Sequence, residues 1–243
     1  MCIGMDNREI TVVILCGGIG SRLGSLVAET PKPLLTVQGK PFLEHVISFY
    51  EAQNVKRFVF CTGYLSDRIQ SHFVDPKFSH LDILFSVETE ALGTGGAITH
   101  ALPHIKSDLF LVINGDSFCS FSLQKFLAFH QSHSAIFSMA LRFQEDCSRY
   151  GSVSLDETEG VVSFEEKRAN AGSGLINAGV YLLSKSVFDK LDLGKIFSIE
   201  TDIFPKFISR GLFGFDIGDA PFIDIGTPLS LHEAETFPFG HKS

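Results

Sequence analysis

The sequence predicts an α/β protein, a doubly wound and mostly parallel sheet with a mixed extension in its C-terminal half. Short apolar runs alternate with amphipathic helical stretches over residues 11–114, the order that a parallel sheet with crossover helices requires. The run Leu109-Phe110-Leu111-Val112-Ile113 is apolar on both faces, as a central parallel strand must be. Glycine-rich or acidic turns follow several of these strands, and open α/β sheets bind ligands beyond the carboxyl ends of their strands.

The first strand, Val12-Val13-Ile14-Leu15-Cys16, runs into Gly17-Gly18-Ile19-Gly20-Ser21-Arg22-Leu23-Gly24, a turn too glycine-rich for a regular element. Glycines directly after a buried strand let backbone N–H groups close around an anion. Arg22 adds a fork of donors suited to phosphate oxygens. Lys32 stands between Pro31 and Pro33 on a stiffened backbone. Together these residues predict a cradle for a polyphosphate. A dinucleotide fingerprint is excluded, because counting from Gly18 and Gly20 puts Leu23 where the third glycine belongs. A P-loop is excluded too, since no Gly-Lys-Ser/Thr occurs.

Pro41 suits the first position of a helix over 42–53, with Leu43, Val46, Ile47 and Tyr50 on one face. A strand over 57–61, a short helix over 65–73 and a strand over 83–87 follow. Gly93-Thr94-Gly95-Gly96 then leads into a helix through His100. Beyond about residue 134 strands dominate, at 135–143, 151–155, 161–164 and 175–183. A helix over 199–209 and strands over 213–217 and 222–225 complete the chain. With no repeat or linker, residues 1–243 are expected to form one domain, its halves meeting near 133 and 134. The second half is expected to supply the site of a second substrate.

The net charge of −8 and the lack of a basic run argue against a nucleic-acid partner. Locally placed cations and a metal ion still permit an anionic nucleotide. The five cysteines (Cys2, Cys16, Cys61, Cys119, Cys147) are scattered without C-x-x-C, as buried thiols in a reducing compartment would be. The apolar run near the N-terminus is about seven residues, against the roughly 20 a membrane span needs. A cytoplasmic protein with no membrane partner is expected.

Two acids are candidates for Mg²⁺. Asp116 follows a wholly apolar strand in Asn114-Gly115-Asp116, although a helix cap would give the same local pattern. Asp224 interrupts an apolar run between Ile223 and Ile225, where an acid is costly unless a cation or donors meet it. In Phe164-Glu165-Glu166-Lys167, Lys167 could hold a second substrate's phosphate, while Glu166 and Asn177 could take sugar hydroxyls. On its own that tetrapeptide reads equally as a solvated edge. His100 and His104 do not form a metal pair, because Pro103 breaks the helix between them.

In order along the chain, these motifs resemble the sugar-phosphate nucleotidylyltransferase family. Its G-G-x-G-[ST]-R-L and P-K-P motifs match residues 17–23 and 31–33, and Leu92-Gly93-Thr94-Gly95-Gly96 matches its second glycine segment. Gly115-Asp116, Phe164-Glu165-Glu166-Lys167, Asn177-Ala178-Gly179-Val180-Tyr181 and Asp224-Ile225-Gly226-Thr227-Pro228 match the rest. The resemblance implies a Rossmann-like nucleotide-diphospho-sugar transferase fold and magnesium-dependent transfer from an NTP to a sugar 1-phosphate. It places Leu15, Gly17, Gly18, Gly20, Ser21, Arg22, Glu88, Gly93 and Thr94 at the nucleotide. It assigns catalysis to Arg22, Lys32 and Asp116, with Mg²⁺ on Asp116 and Asp224. Tyr150, Gly151, Glu166, Lys167 and Asn177 fall at the sugar phosphate.

A sugar 1-phosphate is largely ionised at neutral pH, its second pKa being ~6, so such a reaction needs no general base. Glu88 offers only acceptors, which suit the adjacent N1–H and N2–H donors of guanine and favour GTP. Residues 88–96, Asn114-Gly115-Asp116-Ser117, Arg149-Tyr150-Gly151 and the 222–228 segment are most similar to the branch acting on D-glycero-α-D-manno-heptose 1-phosphate. Cys16, Ala178 and the local sequence over 198–202 depart from that pattern. Transfer to mannose 1-phosphate or another hexose phosphate stays open, as does a non-catalytic nucleotide sensor.

Overall fold

A computed structural model describes residues 6–165, 167, 172–189 and 193–240. In chain order the N-terminal elements are β1 (Thr11–Leu15), β2 (Thr36–Val37), β3 (Lys40–Pro41), α1 (Phe42–Glu51), β4 (Arg57–Thr62), α2 (Ser66–Phe73), β5 (Asp82–Val87), α3 (Gly93–Ala101), β6 (Leu109–Asn114), β7 (Ser117–Cys119) and α4 (Leu123–Ser132). There follow β8 (Phe137–Gln144), β9 (Ser152–Leu155), β10 (Val161–Glu165), β11 (Gly174–Ser184) and α5 (Ser186–Asp189). A π-turn (Ile199–Ile203) runs into α6 (Phe204–Phe207), and β12 (Leu212–Asp216), β13 (Phe222–Asp224) and α7 (Pro228–Glu233) complete the order.

Strands β6, β1, β4 and β5 lie side by side and parallel, which is the doubly wound half. The long β11 joins β6 antiparallel and carries β8 on its other side, while β12 adds parallel to β8. β9 pairs with the first residues of β11 and β10 pairs with β9, both antiparallel. The nine-stranded sheet is therefore parallel in the first half and mixed in the second.

Alternate side chains of the central strands feed two cores. Val12, Ile14, Phe58, Phe60, Leu111 and Ile113 face α1, α2 and α4 on one side. Val13, Val59, Cys61, Phe110 and Val112 face α3 and Phe204 on the other. Much of the aromatic content is spent here, for example in the edge-on pair Phe137 and Phe204, with ring centroids 5.2 Å apart. Cys16, Cys61, Cys119 and Cys147 are buried free thiols. Among the described residues no helix is long and apolar enough to cross a membrane.

The helices α4, α5 and α7 lie outside the expectations from sequence. α4 begins at Ser122, whose hydroxyl accepts from the Lys125 N–H at 3.3 Å, and it buries Leu123, Phe126, Leu127 and His130 at helical spacing. α7 begins at Thr227 with a reciprocal cap to Ser230, and Pro228 occupies its first turn. The loop after β1 is also more regular than its glycines suggest. Ser21–Val27 is a 3₁₀ run interrupted at Gly24 (φ 56°, ψ −126°), because Leu23 and Val27 reach down to pack with Leu35.

Candidate active site

The site begins where β6 ends. Gly115 donates its N–H to the Leu15 carbonyl at 2.9 Å, and a Cβ on Gly115 would lie only 2.8 Å from that oxygen. The chain then turns through Asp116 into β7, so Asp116 caps no helix. From the far end of the sequence, β13 returns antiparallel to β7 and sets Asp224 opposite Ser117. The Ile225 N–H donates to the Asp116 carbonyl at 2.9 Å. Because side chains alternate along the strand, Ile223 and Ile225 are buried while Asp224 turns the other way, into a cavity.

Two cavities adjoin at this point. The larger, about 610 Å³, is lined by Leu15, Gly17, Gly18, Gly20, Glu88, Gly93 and Thr94. The smaller, about 320 Å³, is lined by Arg22, Tyr150, Gly151, Lys167, Asn177 and Asp224. Lys32, Asn114, Asp116 and Glu200 line both, forming the wall the two cavities share. Most residues expected at the nucleotide thus surround one space, and those expected at the sugar phosphate surround its neighbour. Two placements differ from expectation, and a third residue is not described. Ser21 is exposed and lines neither cavity, because it starts the 3₁₀ run after Gly20 (φ 70°) turns the chain outward. Arg22 borders the smaller cavity rather than the larger. Glu166 lies outside the described residues.

The shared wall is charged. Lys32 is buried to 9% exposure and pairs with the Asp116 carboxylate. Asp224 is met by donors of the chain itself. One Arg149 amino group donates to both of its oxygens at 3.0 Å, Tyr150 O–H donates to Oδ2 at 2.5 Å, and Gly226 N–H donates to Oδ1 at 2.9 Å. Burial pushes the Tyr150 phenol well above its ordinary range and the Asp224 charge adds to this, so the hydroxyl remains a donor. Asp116 and Asp224 present hard oxygen ligands on one cavity, with side chains 41% and 17% exposed. Among the described residues no cluster of three or more His, Cys, Asp or Glu is placed to hold a metal. Two carboxylates completed by phosphate oxygens and water are a donor set that fits Mg²⁺.

The second glycine segment acts differently from a phosphate loop. Gly93 and Thr94 line the larger cavity, but Gly95 and Gly96 open the first turn of α3 and seat the 195–200 segment. Both their N–H groups donate to the Phe197 carbonyl, at 3.0 and 3.3 Å, and the Phe197 N–H donates to Leu92. A Cβ on Gly95 would meet the Phe197 ring at 2.2 Å. These glycines are needed for close packing. Glu88 lines the larger cavity beside Gly17, and Oε2 accepts the Leu92 N–H at 3.2 Å. Burial raises its carboxyl above the ordinary range, opposed by that bond and by nearby His100.

In β11 the pairing with β8 slips between Asn177 and Tyr181. Gly179 takes φ 73° there, and a Cβ would strike the Asn114 amide at 2.5 Å. The irregularity holds Asn177 between the Gly179 N–H, which its Oδ1 accepts, and the Tyr181 hydroxyl, to which its amide donates. Among the charged residues lining the smaller cavity, Arg149 and Glu200 were given no site role from sequence. Arg149 adjoins Tyr150 and could have been included on that ground. Nothing local marks Glu200, whose place depends on the packing of Phe197 against α3.

The family model described as nucleotidyl transferase matches residues 11–238. D-glycero-alpha-D-manno-heptose 1-phosphate guanylyltransferase of Campylobacter jejuni subsp. jejuni is 39% identical over 219 residues, 89% of this chain and 94% of that protein. The protein of the same name from Aneurinibacillus thermoaerophilus is 36% identical over 224 residues, 92% of this chain and 96% of its own. HddC from Yersinia pseudotuberculosis, solved complexed with GMP-PN, superposes with a TM-score of 0.82 at 36% identity, over 93% of this chain and 98% of that one. With the match spanning β1 to the end of α7, this chain belongs to the nucleotidyl transferase family and is an enzyme of that class.

Proposed function

We propose that the protein transfers a guanylyl group from GTP to D-glycero-α-D-manno-heptose 1-phosphate, releasing pyrophosphate. The shared wall of Lys32, Asn114 and Asp116 is the observation that carries this reading, because it lets one phosphate be reached from both cavities. Relatives that cover nearly their whole length with this chain bear that substrate in their names. The Glu88 carboxylate, which lines the larger cavity, supplies the acceptors that guanine N1–H and N2–H require.

The acceptor phosphate, ionised at neutral pH, attacks the α-phosphorus in line. A P–O bond to the sugar phosphate forms as the bond to the β-phosphate breaks. The obstacle is repulsion between anions. Arg22 and Lys167 border the acceptor cavity and offset the charge of the incoming phosphate, while Lys32 donates to the phosphate undergoing displacement. The glycine turn after β1 presents backbone N–H groups to the triphosphate, and Tyr150, Gly151 and Asn177 orient the sugar. Asp116 and Asp224 would hold a divalent ion, which when bound neutralises phosphate charge.

A panel of nucleoside triphosphates against sugar 1-phosphates, scored by pyrophosphate release, tests the reading. Turnover is expected with GTP and the heptose phosphate. Turnover with UTP and a hexose phosphate alone would overturn it. Mannose 1-phosphate is the second acceptor to include, since a mannose-1-phosphate guanylyltransferase of Mycobacterium tuberculosis is 32% identical over 92% of this chain.

A further inference from the structure

We propose that Arg149 and the divalent ion exchange at Asp224, the ion binding there as the acceptor's phosphate draws the arginine away. This rests on the sugar-1-phosphate reading above, with Asp224 as a metal ligand. The Asp224 carboxylate is already full. Its oxygens offer about four acceptor positions. Arg149 reaches both oxygens, Gly226 N–H donates to Oδ1, and Tyr150 O–H donates to Oδ2. Asp116 differs: Lys32 engages Oδ2, and Oδ1 has no hydrogen-bond partner among the described residues. An ion can join Asp116 directly, whereas at Asp224 it must displace a donor.

Of the three donors, one is able to leave. The Gly226 N–H is backbone, held just ahead of the Thr227 cap of α7. The Tyr150 ring packs edge-on against Phe222, with centroids 5.6 Å apart, and its hydroxyl carries no charge to repel an ion. Arg149 does carry one, and two cations on a single carboxylate repel. Its side chain is 40% exposed and holds on by one nitrogen. That same amino group also donates to the Ser230 hydroxyl at 3.4 Å. The other amino group and Nε have no hydrogen-bond partner among the described residues. A guanidinium held by one corner keeps an edge for a forked bond to phosphate. Arg149 lines the smaller cavity with Arg22 and Lys167, where the acceptor's phosphate enters. After the exchange the ion neutralises the acids and the arginine neutralises the phosphate.

The test reads metal binding rather than turnover. Mn²⁺ affinity is measured by electron paramagnetic resonance of the free ion, with and without a saturating amount of the sugar 1-phosphate that the panel finds active. The complex that compound forms with Mn²⁺ alone is subtracted. In the wild type the sugar phosphate is expected to tighten Mn²⁺ binding about 5- to 20-fold, and Mn²⁺ to tighten sugar-phosphate binding by the same factor. Arg149→Gln should bind Mn²⁺ alone about 5- to 20-fold more tightly than wild type, and the sugar phosphate should then add less than about twofold. Asp224→Asn removes the acid for which the two cations compete, and its remaining Mn²⁺ binding should likewise gain less than about twofold. An arginine that stays on Asp224 throughout, or a phosphate that merely bridges to the ion, leaves the wild-type factor in both variants and overturns the exchange. Independent binding of the two ligands in the wild type overturns it too. Because the panel is run first, lost coupling with turnover intact strikes the exchange alone. Absence of any wild-type turnover removes the underlying reading and the exchange with it.

Discussion

Asp224 stands opposite Ser117 in a short antiparallel ladder, and that pairing brings the second acid to the first. The backbone bond from Ile225 N–H to the Asp116 carbonyl fixes how far apart the two can drift. Asp116→Asn and Asp224→Asn leave this backbone frame intact and remove charge from the cavity. Each is expected to lower kcat about 10²- to 10³-fold with an unfolding midpoint near that of wild type. Pyrophosphate release titrated against Mg²⁺ checks this, and chelation should abolish turnover until Mg²⁺ is restored. A variant retaining wild-type turnover would remove the substituted acid from the metal site.

On the proposed reading, Glu88 links base recognition to pH. Its carboxyl is raised above the ordinary 4.5 by burial, so on acidification it protonates before an exposed carboxylate does. Guanine needs the ionised form, and affinity for GTP should therefore fall as pH drops toward that range and be complete well above it. The folding contribution has the opposite sense: the folded state holds this proton more tightly, so stability from the group is lost as pH rises through the folded value. Glu88→Gln should weaken GTP binding about 10- to 100-fold and flatten its pH dependence, read by calorimetry across pH.

His130 gives a pH effect on stability alone. Buried under β8 with Nδ1 2.8 Å from the Ser138 hydroxyl, it has a pKa lowered by desolvation to about 4. The unfolded chain takes up this proton near 6.5, so stability is present above that pH and falls as pH drops toward 4. The loss reaches about 3 kcal/mol. Urea midpoints measured across that window should show the slope, and His130→Gln should reduce it.

Gly95→Ala tests the seat of the 195–200 segment. The added methyl meets the Phe197 ring at a distance no packed carbon tolerates, and a loss of about 1–3 kcal/mol is expected. Phe197→Leu in the same chain makes room and should recover part of that loss. Full stability in the single variant would mean the two segments are not packed together in solution.

The parallel half was legible because Leu109–Asn114 and its neighbours are apolar on both faces, which few other arrangements of so short a run allow. Lys32, Asp116 and Gly17 were legible for a local reason, since proline, glycine and a strand end each restrict the backbone around them. Asp224 was found by its oddity among isoleucines, yet Arg149 and Tyr150 as its partners were not, because that meeting is a contact between β13 and a distant loop. The role of Gly95 was not legible. A glycine cluster after a strand looks the same whether an anion or an aromatic ring needs the space, and here Phe197 fills it. α4 carried its signal openly in Ser122 and the spacing of Leu123, Phe126 and His130.

The wall common to the two cavities has a further consequence. On the proposed reading, a nucleotide joined to a sugar lies across Lys32 and Asp116 and fills both chambers together. Such a product competes with each of its parents, so neither can reload until the whole molecule has left. Accumulated nucleotide sugar would then slow its own synthesis by mass action, through the layout of the groove and without any separate regulatory pocket.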